Sequence, residues 1–273
     1  MAMAVATANA VGALSHANII PLRQHRVLGG TLYAVEPAVN GHLLSEYDFT
    51  SEPNDVDACF EVILQVAIAL SVAHHRDISH HRICPDTIRI DSMGRPRLGE
   101  FFLSNMLFSI EYQERSNPST PPHYISPERI ETGFESQEGD VFGLGVLCYH
   151  MLSGVYPFHG ANEIEIVHSR VAKHPKDQSL SQEKPSIILP QSVAYRPPLD
   201  VRALRPDIPP PVAEIVMAML SPTPENRPRL SKFIDAILRV QAERNQKAEV
   251  FSATRRMVEK ASTIALPSDS KNR

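Results

Sequence analysis

The apolar residues of this chain form two short β-rich runs and then recur at helical spacing. Ile19–Leu28 and Thr31–Val35 flank Gly29-Gly30, a dipeptide typical of a β-hairpin turn. Ser51–Asp55, with Pro53 in the first turn, has the composition of a helix start. The residues that follow predict a long amphipathic helix, whose apolar side is formed by Phe60, Leu64, Ala67, Ile68 and Val72.

The second half of the chain predicts a helical body around one buried helix. Ile88–Ile90 and Arg97–Leu98 are two short strand candidates, whereas residues 104–123 are polar and rich in Pro and Ser, which predicts a long loop. Gly139–Leu152 is almost entirely apolar and is followed by Gly154, so it predicts a helix buried on most sides. The other predicted segments are a helix at Ala4–Leu14, a loop at Lys176–Pro198, helices at Pro211–Leu220 and from Ser231 to roughly Gln246, and a disordered tail after Ala248.

A small β portion is thus followed by a helical body with one embedded hairpin. Strands and helices do not alternate, which disfavours a parallel doubly wound sheet and indicates an α+β fold. The chain has 273 residues, which is enough to bury a sizeable core.

The composition excludes several classes of function. The net charge is −4, which gives no general attraction to nucleic acid or to an anionic membrane surface. Cys59, Cys84 and Cys148 lie far apart without a CxxC spacing, which disfavours a zinc site or a disulfide framework and favours a reducing compartment. The sequence predicts no membrane span, and Met1–Leu14 lacks the basic residues of a signal peptide, so we expect a cytoplasmic protein.

Five segments resemble, in order, motifs of the eukaryotic-type Ser/Thr protein kinases, and bacterial members above all. Residues 78–90 are similar to the catalytic loop, and residues 94–104 to the following strand and D-F-G segment. Ser126-Pro127-Glu128 resembles the A-P-E end of the activation segment, residues 140–146 the central helix of the large lobe, and residues 224–228 the late motif with a buried Arg. The resemblance implies a protein-kinase-like fold with a mainly helical C-lobe and a reduced β N-lobe.

The resemblance also divides the chain into regions. It implies an N-terminal helix at residues 1–14 as a remnant of the kinase αC helix, a kinase-like domain at residues 15–240, and a charged helical or disordered tail at residues 241–273. Within the domain, residues 15–40 would form the reduced N-lobe and residues 41–240 the C-lobe. No segment resembles the Gly-rich loop or the strand with the phosphate-binding Lys, and the first lysine of the chain is Lys173.

Arg82 stands where the family has its catalytic Asp, which implies loss of phosphoryl transfer. A guanidinium stays protonated at any physiological pH and cannot accept a proton. Cys84 replaces the Lys and Thr87 the Mg²⁺-binding Asn of the catalytic loop, and Glu100 replaces the Asp of D-F-G. Glu100 is the one candidate metal ligand, although it is longer than Asp by one methylene group. We therefore expect no catalytic residue at these degenerate positions.

Arg89 lies at a position that opposes ordinary nucleotide binding. Its side chain points away from the strand face of Ile88 and Ile90, to the face that in the family is the apolar floor under adenine. A guanidinium there blocks the base or needs another partner. We expect no cofactor, with ATP and Mg²⁺ only under an enzymatic alternative, while binding of another anion at Arg82 and Arg89 stays open.

Two further patterns are weaker candidates for chemistry. His75-Arg76-Asp77 spells H-R-D, but the Asn that the family needs five residues after the Asp is absent, and we place Asp77 near the end of the long helix. A histidine cluster could suggest metal, but it has no cysteine or carboxylate at ligand spacing. Of its members His74, His75, His80 and His81, we expect His80 in the core and the others at the surface.

The residues that hold a kinase frame together are retained. Glu128 and Arg227 match the family's ion pair between the activation segment and the helical body, and breaking such a buried pair costs about 3–5 kcal/mol. Asp140 matches the acid that holds the catalytic-loop backbone. His80 and Phe101 match the two residues that stack beneath the small lobe.

The chain lacks the family's catalytic residues but keeps its structural residues, which predicts a pseudokinase. This would be an inactive kinase-like module that binds or scaffolds another signalling protein, a true kinase or its substrate, through the loop at Met106–Tyr124 or the small-lobe side. The rival is a weak or atypical ATP-dependent Ser/Thr kinase that uses Glu100 for metal. A third interpretation is an N-terminally truncated kinase gene product, in which Arg82 and Thr87 would still be inactivating.

Overall fold

The first part of the fold is a helix followed by a β-hairpin. The computed structural model describes residues 2–50, 55–114, 119–160, 166 and 197–246. Helix α1 spans Ala2–Gly12, and strands β1 (Gln24–Leu28) and β2 (Thr31–Val35) pair in antiparallel register. Gly29 and Gly30 have φ values of 57° and 82°, the left-handed conformations that a two-residue hairpin turn requires. The hairpin predicted at the Gly-Gly pair is confirmed.

A second, three-stranded sheet lies beside the helical body. Strands β3 (Gly41–Leu43), β4 (Ile88–Asp91) and β5 (Pro96–Leu98) form an antiparallel sheet with β4 in the centre. The segment before the hairpin is tied to this sheet, because the Ile20 amide donates to the Leu98 carbonyl at 2.8 Å. The sheet thereby places residues 99–100, which follow β5, next to the turn that leads into β4.

The helical body is built around one fully enclosed helix. Helix α5 spans Gln137–Ser153, and every residue from Gly139 to Leu152 is buried, as the apolar run predicted. Gly145 allows a close approach here, since a Cβ atom on it would lie 2.8 Å from the Met219 Cβ. The other helices of the described residues are α2 (Val56–His74), α3 (Phe101–Glu114), α4 (Pro127–Thr132), α6 (Val201–Leu204), α7 (Pro210–Met219) and α8 (230–246).

Helix α3 contradicts the long loop predicted over residues 104–123. The helix begins at Phe101 and continues to Glu114. Of the predicted loop, only residues 119–123 lie outside this helix among the described residues. Its buried face carries the polar residues Ser104 and Glu111 alongside Phe101 and Phe108, and these polar residues conceal the apolar periodicity that would have indicated a helix. The prediction was wrong because the buried glutamate is neutralised by a partner distant in sequence.

Other predicted boundaries shift by a few residues. Helix α2 begins after Asp55, whose carboxylate accepts from the Asp57 amide at 2.9 Å, while residues 51–54 lie outside the described part. The helix predicted at Ala4–Leu14 spans Ala2–Gly12. Most of the predicted loop at Lys176–Pro198, namely residues 176–196, and the tail after Ala248 also lie outside the described residues.

Helix α2 is long and apolar enough to cross a membrane, judged by length and composition alone. The sequence had predicted no such segment. Phe60, Ile63 and Leu70 are buried in the core of the fold, and core helices commonly meet the same criterion. The helix is therefore weak evidence for a membrane span.

Two buried histidines make the fold sensitive to acid. The ring of His150 stacks on Tyr156 with centroids 4.0 Å apart, and Tyr156 stacks in turn on His123 at 3.7 Å. Burial lowers the pKa of His150 from 6.5 to about 4. Burial likewise lowers the pKa of His80 from 6.5 to about 4. Both rings are therefore neutral in the folded chain at neutral pH.

We predict that the chain loses stability as the pH falls from about 6.5 to about 4, because in this window the unfolded chain binds protons at His80 and His150 that the folded chain excludes. The contribution of the two neutral rings to the free energy of unfolding is fully present above the pKa that they have in the unfolded chain. It is lost as the pH falls to the pKa that they have in the folded chain. Urea unfolding at a series of pH values measures it. The variant His150→Phe keeps an aromatic ring and should lower the slope by about one proton; an unchanged slope would contradict the assignment.

Candidate functional site

The buried carboxylate of Asp140 fixes the loop that leads to Arg82. It accepts from the backbone amides of His80 and His81, each at 2.7 Å, and from the His74 Nε2–H at 2.9 Å. Burial alone would raise the pKa of Asp140, but the hydrogen bond from His74 and the electrostatic interaction with its ring hold the pKa below its ordinary value. The carboxylate therefore stays charged and holds two consecutive amides in place.

His80 joins this loop to the segment after β5. Its Nε2–H donates to the Gly99 carbonyl at 2.8 Å, and its ring meets the Phe101 ring edge to face with centroids 4.5 Å apart. Both side chains are buried. Residues 80–82 and 99–101 are thus held together as one unit.

Arg82 and Glu100 form an ion pair across this unit. The Arg82 Nη1–H donates to Glu100 Oε2 at 2.7 Å, with the side chains 19% and 37% exposed. Glu100 has a φ of 62° and His81, which precedes Arg82, has a φ of 66°, a left-handed backbone that non-glycine residues rarely adopt. The backbone at both positions is therefore constrained to bring the two charges together.

Thr87 and Cys84 make their contacts within the loop that carries Arg82. The Thr87 hydroxyl lies 3.0 Å from the Arg82 carbonyl oxygen and 2.9 Å from that of Cys84, and the residue is buried. Burial raises the pKa of the Cys84 thiol to about 11, so it is neutral at physiological pH. The positions of the family's Lys and Asn therefore supply no charge here.

A cavity of about 290 Å³ lies between the hairpin side and the loop of Arg82. Glu36, Asp86, Glu100 and Arg89 are its charged lining residues, with apolar residues such as Ile20 and Leu43 around them. The Arg89 Nη1–H donates to the Gly41 carbonyl at 3.2 Å, and burial is the main cause that raises the pKa of Glu36. Arg82 is not among the residues that line this cavity, and its guanidinium contacts Glu100.

Asp77 of the H-R-D sequence lies away from this cavity. It is exposed, follows the end of α2 and does not contribute to the cavity lining. Within the described ranges, no group of three or more His, Cys, Asp or Glu side chains is arranged to hold a metal ion.

Glu128 and Arg227 form a bidentate ion pair in which the Arg227 side chain is buried. The two Arg227 Nη groups donate to the two Glu128 carboxylate oxygens, each at 2.7 Å, although the residues lie 99 positions apart. Arg227 also donates to the Glu138 and Ser221 carbonyls, and its guanidinium stacks on Phe142 at 5.0 Å. The pair joins the start of α4 to the segment before α8.

A second buried network was missed at the sequence level. Arg129 donates to Glu111 at 2.5 Å, to Glu135 at 2.9 Å and to the His81 carbonyl at 2.6 Å. The ring of His81 stacks on Phe108 with centroids 3.9 Å apart. Arg129 thereby connects α4, the Arg82 loop and α3. Its position directly after Glu128 in the A-P-E-like segment was the only signal available.

The histidine cluster also departs from expectation. His80 is buried, as predicted, and His75 is exposed. His74 and His81 were expected at the surface, but their side chains are only 10% and 11% exposed, because His74 pairs with Asp140 and His81 stacks on Phe108. The prediction was therefore correct for His80 and His75 and wrong for His74 and His81.

The fold and the site define a protein-kinase-like domain. It has a β portion with a cavity beneath it, a loop held by Asp140 and a helical body. The profile of the protein kinase domain matches residues 4–238. The chain therefore belongs to the protein kinase family. It is 27% identical over 186 residues to the serine/threonine-protein kinase PrkC of Bacillus subtilis, covering 68% of this chain and 28% of that protein.

Two further relatives agree with this assignment. The chain is 25% identical over 157 residues to the probable serine/threonine-protein kinase PknB of Lactococcus lactis, covering 58% of this chain and 25% of that protein. The crystal structure of Rad53 1-466 in complex with AMP-PNP matches with a TM-score of 0.61 at 20% identity, covering 86% of this chain and 54% of that one, which supports the fold. The chain spans about a quarter of the length of the two bacterial relatives.

We predict that Arg129→Met destabilises the fold by about 3–5 kcal/mol, because it leaves Glu111 and Glu135 buried without their cation. Urea unfolding measures the loss. The matched control is Arg95→Met, which removes a half-exposed guanidinium from Asp91; because Arg97 remains 3.8 Å from the same carboxylate, the change should cost no more than about 1 kcal/mol. Equal losses in the two variants would refute the importance of the Arg129 network.

Proposed function

We propose that this chain is a catalytically inactive kinase-like module whose work is to bind another signalling protein, a true kinase or its substrate, in the cytoplasm. The Arg82–Glu100 ion pair carries the proposal. Where phosphoryl transfer needs a carboxylate to accept the substrate proton, the chain has a permanently charged guanidinium. Loss of a general base alone costs about 10²- to 10⁴-fold in rate.

The residues present do not fit a magnesium nucleotide. Glu100, the one candidate metal ligand of the D-F-G-like segment, is neutralised by Arg82 at 2.7 Å. Thr87 directs its hydroxyl to the Arg82 and Cys84 carbonyls, and Arg89 lines the cavity with a guanidinium. In nucleotide sites Mg²⁺ is held by one or two free carboxylates together with phosphate oxygens and water, and the carboxylate of the D-F-G-like segment is already paired with a guanidinium.

The retained frame supports a binding role. The Asp140 contacts and the Glu128–Arg227 pair hold the loop and activation-segment region in a defined shape, and buried ion pairs of this kind are costly to maintain without a use for that shape. Helix α3, which occupies much of the predicted binding region at Met106–Tyr124, exposes about half of Ile110 and Tyr112. The ring of Phe134, 52% exposed, lies 5.9 Å from that of Tyr112.

The alternative is a weak or atypical Ser/Thr kinase. Its support is that Glu100 lines the cavity and remains 37% exposed, so a metal could compete with Arg82 for the carboxylate. An N-terminally truncated kinase gene product is a further alternative, in which Arg82 and Thr87 would remain inactivating.

A phosphotransfer assay separates the two functions. With radiolabelled ATP and either Mg²⁺ or Mn²⁺, we predict no incorporation by the wild-type chain and no change in Glu100→Ala, because Arg82 cannot act as a base. An active bacterial kinase run in parallel confirms that the substrates accept phosphate. Wild-type turnover that disappears in Glu100→Ala would overturn the inactive assignment, and calorimetric titration with ATP should give no heat at millimolar ligand.

The binding half of the proposal is tested with a purified partner. Affinity capture from the native cell supplies candidates, and each is then mixed with the purified chain. We expect one of them to be a kinase whose rate changes on binding, or a substrate whose phosphorylation changes. If no candidate binds directly when purified, or binding alters neither quantity, the signalling role is wrong.

A further inference from the structure

Strand β2 has an open edge. Among the described residues it pairs with β1 only, and this two-stranded sheet is separate from the sheet of β3, β4 and β5. Leu28 and Thr31 face each other across the two-residue turn, so backbone groups of Thr31, Tyr33 and Val35 point towards β1. The N–H and C=O groups of Leu32 and Ala34 consequently point outward, to the open edge.

The edge lacks the features that usually protect one. Exposed edges are commonly blocked by charged side chains, proline or a bulge. The five residues of β2, Thr-Leu-Tyr-Ala-Val, include no charge and no proline. The charges of the hairpin, such as Arg26, lie on β1, the strand remote from this edge.

One face of the hairpin also exposes apolar side chains to solvent, next to the polar residues Gln24, Arg26 and Thr31. Leu28, Tyr33 and Val35 are 60%, 53% and 50% exposed. Leu32, on the opposite face, packs against the core. A two-stranded hairpin is marginally stable in water, and a third strand adds both hydrogen bonds and cover for apolar side chains.

The sequence of β2 is compatible with pairing to itself. In an antiparallel register centred on Tyr33, Leu32 of one copy faces Ala34 of the other, and Thr31 faces Val35. Each Leu32–Ala34 pair then exchanges both of its backbone hydrogen bonds, since both residues direct these groups outward. Tyr33 faces its own counterpart in the closely spaced pair, where aromatic side chains interact well. No like charges meet in this register.

We propose that two copies of this chain associate through antiparallel pairing of their β2 strands, forming a continuous β1-β2-β2-β1 sheet about a twofold axis. The twofold axis makes the interface isologous and closed, so it yields dimers and not fibres. The association goes beyond the binding of a signalling partner and does not depend on whether the chain transfers phosphate. The contact is confined to one pair of five-residue strands, and we expect weak association with a dissociation constant on the order of micromolar.

Sedimentation velocity of the full chain at about 1 to 200 μM tests the proposal, because this range brackets a micromolar equilibrium. We expect the wild type to shift from monomer to dimer. Tyr33→Glu should weaken the dimer by about tenfold or more, because the two introduced carboxylates face each other, while each faces Arg26 within its own hairpin. Ala34→Pro should have the same effect, because it removes an outward N–H without removing a hairpin hydrogen bond.

The matched control is Tyr47→Glu, the same change at an exposed tyrosine outside the hairpin, which should dimerise like the wild type. Mixing Tyr33→Glu with Tyr33→Lys should restore association as a mixed dimer. Hydrogen exchange gives a second readout, since the Leu32 and Ala34 amides should become protected as concentration rises.

Three outcomes would overturn the proposal. The first is a wild type that stays monomeric up to the highest concentration. The second is a dimer that persists in both Tyr33→Glu and Ala34→Pro, which would place the interface elsewhere. The third is protection of the Leu32 and Ala34 amides that does not change with concentration, which would mean that the edge is covered within one chain.

Discussion

The buried carboxylate of Asp140 is the contact on which the cleft of this protein depends. It accepts two consecutive backbone amides, from His80 and His81, and a third hydrogen bond from His74. Hydrogen bonds to a charged acceptor contribute about 1.5–3 kcal/mol each, more than neutral ones. Both amides are held by a residue of the buried helix α5. The backbone of the next residue, Arg82, is therefore fixed in a position from which its side chain reaches Glu100.

From that fixed loop the charges of the cleft follow. His80 binds the Gly99 carbonyl and stacks on Phe101, so the residue between them, Glu100, is held opposite Arg82. The frame that would align a base and a metal ligand in an active kinase here aligns a cation with an anion. The two charges neutralise each other at 2.7 Å, and this contact is the physical basis for the proposal that the chain binds a partner and does not transfer phosphate.

Sequence reasoning succeeded where a local pattern determines the structure. The Gly-Gly pair identified the hairpin, and the continuous apolar run identified α5. It failed where a polar residue is buried by a distant partner. Glu111 made α3 look like a loop because its partner, Arg129, is remote in sequence, and His74 looked like a surface residue because Asp140 lies 66 positions away. Single-sequence patterns contain no information about such pairs.

The site positions were identified by resemblance to kinase motifs, whereas their partners were not. Nothing in the spacing of the sequence indicated that Arg82 would meet Glu100, or that the Thr87 hydroxyl would turn to the loop carbonyls. These contacts depend on the left-handed backbone at His81 and Glu100, a conformation that side-chain type alone does not predict. The motif therefore located the cleft, and the tertiary structure determined its charge balance.

We propose that Arg82 and Glu100 neutralise each other where an active kinase has a base and a metal ligand. A crystal structure of the chain grown with Mg²⁺ and a non-hydrolysable ATP analogue tests it most directly. We expect an intact Arg82–Glu100 hydrogen bond and a cleft without an ordered nucleotide. An ordered nucleotide with Mg²⁺ on Glu100 and Arg82 turned away, or with Asp77 at the γ-phosphate, would contradict it.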